Sequence, residues 1–325
     1  MTLRTVIRSC GSYLPARVVT NKDMESMVET SDEWIVQRTG IRERHIAADG
    51  ETSADMAIAA ARQALEKSGL AAGDIDGVIV ATSTPDTTFP SVAVKVQAAL
   101  GTKNGPVFDV QAVCAGFVYA LSVADSLIRT GAARRILLIG AEKMSAILNW
   151  DDRTTCVLFG DGAGAVVLEA DESGDGTVND RGILSTHLHA DGTLKDILYV
   201  NGGVSSTGSS GHIVMEGKEV FRHAVAAMAD VVTEVLDHNK ITPADINWIV
   251  PHQANIRIIE STAKKLGMSM DQVIVTVDRH GNTSAASIPL ALAEAVNGGR
   301  IKRGDTILFE ALGGGLVWGA ALARF

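Results

Sequence analysis

Aromatic side chains are scarce in this 325-residue chain, at 4%. Hydrophobic residues still make up 46%, so the core must be built from Ala, Val, Ile and Leu packed closely around tight turns, and 32 glycines are available for those turns. Cysteine is scarcer: Cys10, Cys114 and Cys156 are the full set. Three scattered thiols exclude a disulfide scaffold, and no Cys-x-x-Cys pair points to zinc. Positive charge is also in deficit. Lys and Arg number 29 against 38 Asp and Glu, a net charge of −9. That excludes a bulk basic footprint for nucleic acid while leaving room for a local basic patch. Long apolar runs are missing too. The uncharged apolar stretch Ala311 to Ala323 is shorter than the ~20 residues a membrane span needs and is rich in Gly. Arg4 and Arg8 interrupt the first apolar run, so no signal-peptide core is expected. Together these absences predict a reduced, soluble, cytoplasmic protein that binds neither nucleic acid nor membrane.

What is present is an order of elements that occurs twice. Apolar residues at helical spacing over Ser53–Gly69 precede a strand pattern over Asp74–Thr82, just as Val220–His238 precedes Asp245–His252. Helices over Val94–Leu100 and Ile256–Leu266 follow, then strands over Pro106–Val110 and Val273–Val277. Helices over Ala115–Thr130 and Ser284–Val296 come next, then strands over Arg135–Gly140 and Thr306–Glu310. This order predicts an internal duplication, with halves 1–175 and 176–325 joined near Ser173–Thr177, where Gly, Asp and Ser cluster. Alternating strands and helices predict an α/β fold with parallel sheets covered on both faces.

Cys114, His252, Asn282 and Gly313-Gly314-Gly315 all fall just beyond predicted strand ends, the edge at which open parallel sheets bind ligands. A lone Cys is most often a buried structural thiol. Cys114 differs because it directly precedes a predicted helix, whose N-terminus lowers a thiol pKa, and because Ala115 and Gly116 leave room for a substrate. Cys10 and Cys156 lack that setting and read as structural. His252 ends a strand ahead of another helix; its ordinary reading is a core histidine. His187, His189 and His212 lie in polar stretches expected to be loops, and His280 is near enough to Asn282 to support it. Asn282 after Gly281 also fits a turn. Gly160-Asp-Gly-Ala-Gly-Ala165 departs from phosphate-loop patterns and reads as a tight turn. The order Cys, His, Asn is also that of papain-like hydrolases, whose His and Asn lie roughly 130–150 residues after the Cys. Their signature around the Cys is absent, and the duplicated α/β pattern does not suit them.

At these residues the chain resembles the β-ketoacyl-acyl carrier protein synthase III family, the initiating condensing enzymes of fatty acid synthesis. The resemblance is carried by Thr30–Ile35, Arg38–Arg44, Asp109–Gly116, Phe159–Ala165, Pro251–Asn255, Asp278–Ser284 and Glu310–Gly315. It implies a thiolase-type αβαβα layered sandwich of two similar halves, working as a homodimer. It implies that Cys114 takes an acyl group from acyl-CoA, and that His252 and Asn282 stabilise the enolate left when malonyl-acyl carrier protein loses CO₂. The backbone N–H groups of Cys114 and Gly314 form the implied oxyanion hole, each worth about 3–4 kcal/mol in other enzymes. Acetyl-CoA and malonyl-acyl carrier protein are substrates; no cofactor and no metal is implied.

Further roles come from the same resemblance. Trp34 and Arg38 share a face of a short helix capped by Ser31 or Asp32, and with Arg153 are implied to hold CoA. Met144, Phe159 and Leu312 are implied to line the acyl pocket, with Phe89 closing it from the neighbouring subunit. Leu312 stands where many members have Phe, which bears on acyl choice. Arg222, Arg257, Lys264 and Lys265 are implied to dock the acidic carrier protein; without the resemblance they read as a solvated face. Thiolases place a second Cys before the C-terminal glycines, where this chain has Glu310-Ala-Leu-Gly-Gly-Gly315, and elongating synthases use two histidines, where position 282 here is Asn. The alternatives are a related synthase of secondary metabolism with a different starter or acceptor, a Cys hydrolase, and a silent partner subunit, the last disfavoured by the complete Cys114, His252 and Asn282 set.

Overall fold

The computed structural model describes residues 2–103 and 105–325. Its first sheet is formed by β1 (Thr2–Tyr13), β4 (Gly77–Ala81), β5 (Val107–Val110), β6 (Arg135–Lys143) and β7 (Asp161–Gly174), in the order β1-β7-β6-β4-β5. A short ribbon, β2 (Arg17–Thr20) with β3 (Glu43–Ile46), lies outside it. The second sheet has β8 (Gly182–Ala190), β11 (Trp248–Pro251), β12 (Thr306–Gly313) and β13 (Val317–Arg324), in the order β11-β12-β13-β8. A two-stranded ribbon, β9 (Leu198–Val200) with β10 (Ile213–Met215), stands apart. Read from β1 and from β8, the two large sheets share one strand order, with Val273 bridging Ile249 where the fifth strand would lie.

Both sheets are mixed, which corrects the expectation of parallel ones. β4 runs parallel to β5 and β6, and β11 to β12, whereas β7, β1, β13 and β8 join antiparallel. β7 and β13 fold back on the strand before them, over residues 144–160 and 314–316, so no helical crossover is needed between β6 and β7 or β12 and β13.

Helices α1 (Asn21–Glu25) and α2 (Asp32–Thr39) follow the first ribbon strand. One face of the first sheet is covered by α3 (Ser53–Ser68) and α4 (Val92–Leu100). The α3 face is Ala57, Ala60, Ala61 and Ala64, small enough that Gly11 of β1 lies against its backbone; a Cβ at Gly11 would come 2.3 Å from the Ala60 carbonyl oxygen. Between the sheets lie α5 (Gly116–Arg129) and the almost wholly buried α9 (Ser287–Asn297). The outer face of the second sheet is covered by α6 (Gly217–Asn239) and α7 (Ile256–Lys265), with α8 (Val277–His280) a single turn before α9. The result is five layers, helix–sheet–helix–sheet–helix. No helix among the described residues is long and apolar enough to cross a membrane.

Two local expectations change. Val273–Val277 is not a strand. The Gln253 side chain takes its backbone groups, accepting from Thr276 and Val277 N–H at 2.8 and 3.0 Å and donating to the Ile274 carbonyl at 3.0 Å. Only Val273 is left to bridge, and the chain turns into α8. Gly160–Ala165 is not a turn either: from Asp161 it is the start of β7. Its glycines let α9 approach, since a Cβ at Gly164 would meet the Leu290 nitrogen at 2.5 Å.

Candidate active site

Cys114, His252, Asn282 and Gly314 line one cavity of about 1600 Å³. Cys114 follows β5 in a 3₁₀ turn, Val113–Ala115, that runs into α5. Val113, directly before it, has φ 47°, a conformation that a β-branched residue adopts only at a cost of about 1–3 kcal/mol. Behind the turn is Gly313, where a Cβ would lie 2.7 Å from the Cys114 nitrogen. The thiol is buried, and burial pushes it up to about 12; the neighbouring Ser284 hydroxyl pulls the other way, and the Glu142 carboxyl pushes it further up. The expected depression of this thiol is therefore not found in the free protein. Desolvation outweighs the field at the start of the helix. Cys10 and Cys156 are buried as well, pushed by burial up to about 12 and about 11.

His252 leaves β11 with its N–H donated to the Glu310 carbonyl at 2.8 Å. Its Nδ1 is 2.7 Å from the Ser287 hydroxyl, and burial pushes the imidazole down to about 3, so the ring is neutral. Asn282 follows α8 rather than a strand. Its N–H donates to the Leu158 carbonyl at 2.8 Å, and its carbonyl accepts from Gly160 at 3.0 Å. Its side-chain Oδ1 accepts the Ser284 N–H at 2.9 Å. The amide oxygen is thereby committed, and the NH₂ is left as the group Asn282 can offer to a ligand. The site so assembled holds a nucleophilic sulfur, a neutral imidazole and an amide donor.

Two buried carboxyls beside these residues were not singled out from the sequence. Glu142, near the end of β6, accepts from the Thr84 hydroxyl at 2.6 Å, the Ser83 N–H at 3.1 Å and the Ser284 hydroxyl at 3.2 Å. Burial nevertheless pushes it up to about 7. Glu310, on β12, lines the cavity; burial pushes it up to about 8, and its Oε2 has no hydrogen-bond partner among the described residues. Glu310 was within reach of sequence reasoning, since an acidic residue inside the buried run Thr306–Gly313 breaks the apolar pattern. Ser287 and Gln253, by contrast, are ordinary polar residues until the fold brings them to His252 and its loop.

The CoA-assigned residues meet on one side of the mouth. Ser31 caps α2 by accepting the Trp34 N–H, and Trp34 and Arg38 line the cavity. The Arg38 and Arg153 guanidiniums lie 4.9 and 5.3 Å from the Trp34 ring centre, and Arg153 also donates to the Glu29 carbonyl at 3.0 Å. Met144, Phe159 and Leu312 line the same cavity. Phe89 does not; it stands 83% exposed on the Thr84–Ser91 loop. Of the residues expected to dock carrier protein, Arg222 is on α6, paired with Glu219, and Arg257, Lys264 and Lys265 are on α7. Arg257 sits 5.4 Å from the Phe221 ring centre, and Lys265 donates to the Val225 carbonyl at 3.2 Å. Both Arg257 and Phe221 reach the cavity rim.

The remaining histidines are elsewhere. His187 and His189 are on β8, not in loops, and both face Glu234, at 2.9 and 2.6 Å. His280 is turned to Glu294, 3.5 Å away, rather than to Asn282.

Residues 108–192 match the family model for 3-oxoacyl-[acyl-carrier-protein] synthase III, and residues 236–325 match the model for its C-terminal part. The chain is 64% identical over 325 residues to the β-ketoacyl-[acyl-carrier-protein] synthase III of Rhodospirillum centenum, covering all of both chains. Among solved structures, the 3-oxoacyl-[acyl-carrier-protein] synthase III of Aquifex aeolicus superimposes with a TM-score of 0.93 at 48% identity, over 99% of this chain and 100% of that one. The priming β-ketosynthase of a polyketide biosynthetic pathway superimposes with a TM-score of 0.92 at 36% identity, over 100% of this chain and 98% of that one. The chain belongs to the β-ketoacyl-acyl carrier protein synthase III family, and is a condensing enzyme of the acyltransferase class.

Proposed function

We propose that this enzyme initiates fatty acid synthesis by joining a short acyl group, from acetyl-CoA or a close relative, to malonyl-acyl carrier protein. The products are 3-oxoacyl-acyl carrier protein, CoA and CO₂. One observation carries the reading: a buried thiol, a neutral imidazole and a side-chain amide with its oxygen committed all line a single cavity.

In the first half-reaction the Cys114 sulfur attacks the thioester carbonyl of acyl-CoA. The backbone N–H groups of Cys114 and Gly314 receive the oxyanion, and CoA leaves with the thiol proton. In the second, the malonyl thioester oxygen accepts hydrogen bonds from His252 and Asn282. The bond to the carboxylate breaks, CO₂ leaves, and its electron pair becomes the enolate. The enolate carbon then attacks the acyl group on Cys114, and the sulfur departs to be protonated again. A neutral His252 suits this role, because a hydrogen-bond donor of low acidity stabilises developing charge without surrendering its proton. No cofactor enters this chemistry.

CoA is assigned to Trp34, Arg38 and Arg153, and acidic carrier protein to Arg222, Arg257, Lys264 and Lys265 on α6 and α7, the start of α7 lying against α2 where the Asn255 side chain donates to the Arg38 carbonyl at 2.9 Å. Phe89, left in water by its own chain, supports a homodimer in which it closes the partner's acyl pocket alongside Met144, Phe159 and Leu312. The halves 1–175 and 176–325, with Cys114 in the first and His252 and Asn282 in the second, form the active site between them, and the setting is cytoplasmic. A second reading, a synthase of secondary metabolism with another starter, draws on Leu312 in the cavity wall where many members have Phe, and on the likeness to the polyketide priming enzyme. A panel of acyl-CoAs offered with malonyl-acyl carrier protein, scored by CO₂ release and product mass, separates the two. Acetyl preference supports initiation; exclusive use of a long or unusual starter supports the second reading, and no CO₂ with any starter refutes both.

A further inference from the structure

We propose that Ser287 is a positioning residue that locks His252 in the tautomer with the proton on Nε2, so that the ring enters the reaction as a donor. The inference rests on the reading of His252 as an enolate partner and assigns how that role is set. The Ser287 hydroxyl oxygen is 2.7 Å from His252 Nδ1 and accepts the Gln253 N–H at 3.3 Å. Ser287 is buried, and its hydroxyl has no other hydrogen-bond partner among the described residues. If Nδ1 carried the proton, the hydroxyl would receive two donors and its own hydrogen would be left without an acceptor in a dry site. With the proton on Nε2, the chain is complete: Gln253 N–H donates to Ser287, and Ser287 O–H donates to the Nδ1 lone pair.

A second feature points the same way. Ser287 lies in the first turn of α9, eleven residues long, so the positive end of that helix is close to Nδ1. A positive end favours a lone pair there over an N–H. The catalytic consequence is a division of labour. In the Ser-His-Asp arrangement a carboxylate accepts from Nδ1–H and turns Nε2 into a base. Here a hydroxyl donates to Nδ1, which makes Nε2 a donor and removes His252 as the acceptor of the Cys114 proton.

The test uses the full-length enzyme with ¹⁵N-labelled histidine, the His252 signals being assigned by their loss in His252→Gln. The expected wild-type spectrum has a protonated Nε2 and an unprotonated Nδ1. Ser287→Ala should shift His252 toward a mixture of tautomers, and Ser287→Thr should restore the single one. In parallel, Ser287→Ala should lower malonyl decarboxylation roughly 10- to 100-fold, the range seen when the partner that orients a metal-bound histidine is removed. Acetylation of Cys114 by acetyl-CoA alone should stay within about twofold of wild type, given that His252 does not take its proton. A proton on Nδ1 in the wild-type protein overturns the proposal, as does a Ser287→Ala protein whose His252 tautomer is unchanged. Normal decarboxylation by His252→Ala would instead remove the underlying role of His252, an outcome distinct from either spectrum.

Discussion

The wall of the cavity that carries Cys114 and the wall that carries His252 are built on opposite physical terms. Cys114 is presented by a backbone held in a costly conformation at Val113, on a turn pressed against Gly313, with its thiol kept neutral by burial. His252 leaves a regular parallel strand, and both its N–H and its Nδ1 are hydrogen-bonded. Their nearby carboxyls differ in the opposite sense. Glu142 is surrounded by donors, whereas Glu310 keeps an oxygen without a partner. Strain and desolvation hold a reactive atom ready without spending it, while a hydrogen-bonded frame holds a donor whose task is to stay where it is.

The sharpest way to break the comparison is to disable one wall at a time. Cys114→Ala should abolish acyl transfer while leaving some malonyl decarboxylation. His252→Ala and Asn282→Ala should each lower condensation by about 10²–10³ and still accept acetyl on Cys114. Intact mass with peptide mapping reads the first half-reaction, and CO₂ release the second. Acetyl found on Cys10 or Cys156 but never on Cys114 would reverse the assignment of the walls.

Gly313→Ala attacks the first wall through its backbone. The new Cβ would meet the Cys114 nitrogen at 2.7 Å and the Ala112 carbonyl at 3.1 Å, so the turn must move. Displacement on that scale can cost about 100-fold in rate. Cys114 acetylation should fall by that order while circular dichroism stays native; full acetylation would mean that the turn is softer than its packing implies.

The carboxyls separate the walls by pH. Both have folded pKa values raised above the ordinary 4.5, to about 7 and about 8, so their contribution to stability is complete at low pH and is lost as pH rises through those values. His252, lowered to about 3, works in the other direction, adding stability as pH rises from 3 to 6.5. The two effects oppose below pH 6.5, and stability should fall between pH 6.5 and 8, by about 1 kcal/mol per pH unit for each group still titrating. Glu310→Gln should raise the melting temperature at pH 8. Glu142→Gln should lower it above pH 7, where the carboxylate accepts from the Ser83 N–H and the Thr84 and Ser284 hydroxyls and an NH₂ cannot. Equal effects from the two substitutions would remove the distinction between them.

The smallest expected effect concerns the rim. Arg257→Glu with Lys264→Glu should raise the KM for malonyl-acyl carrier protein roughly three- to tenfold, more at low salt than at high salt. Use of acetyl-CoA should hardly change, since its assigned contacts are Trp34, Arg38 and Arg153. Equal losses for both substrates would point to misfolding, and no loss for the carrier protein would move docking to another face.

Much of this was legible from the chain alone because it depends on local pattern. Apolar periodicity located α3, α5, α6, α7 and α9 to within a few residues, and Cys114, His252, Asn282 and Gly314 stood out by their place after apolar runs. The misreadings have tertiary causes. The segment after Val273 has the composition of a strand, but a side chain 20 or more residues earlier, Gln253, takes its backbone groups. The glycines from Gly160 to Gly164 look like a turn, but Gly160 admits the His280 carbonyl and Gly162 and Gly164 admit α9. His187 and His189 look like loop residues because their partner, Glu234, is on another element.

By itself, then, the sequence singled out the residues proposed to carry the chemistry and determined the alternation of helix and strand and the absence of any bulk basic surface; these follow from residue type and near-neighbour spacing. Only the tertiary structure decided the electrical state of those residues. A cysteine at the start of a helix is expected to ionise easily, and a histidine to titrate near neutrality. Here the same closing of five layers that brings Cys114 and His252 to one cavity also removes water from both. Desolvation penalises the charged form of each, and it is set by everything packed around a group rather than by its neighbours in the chain.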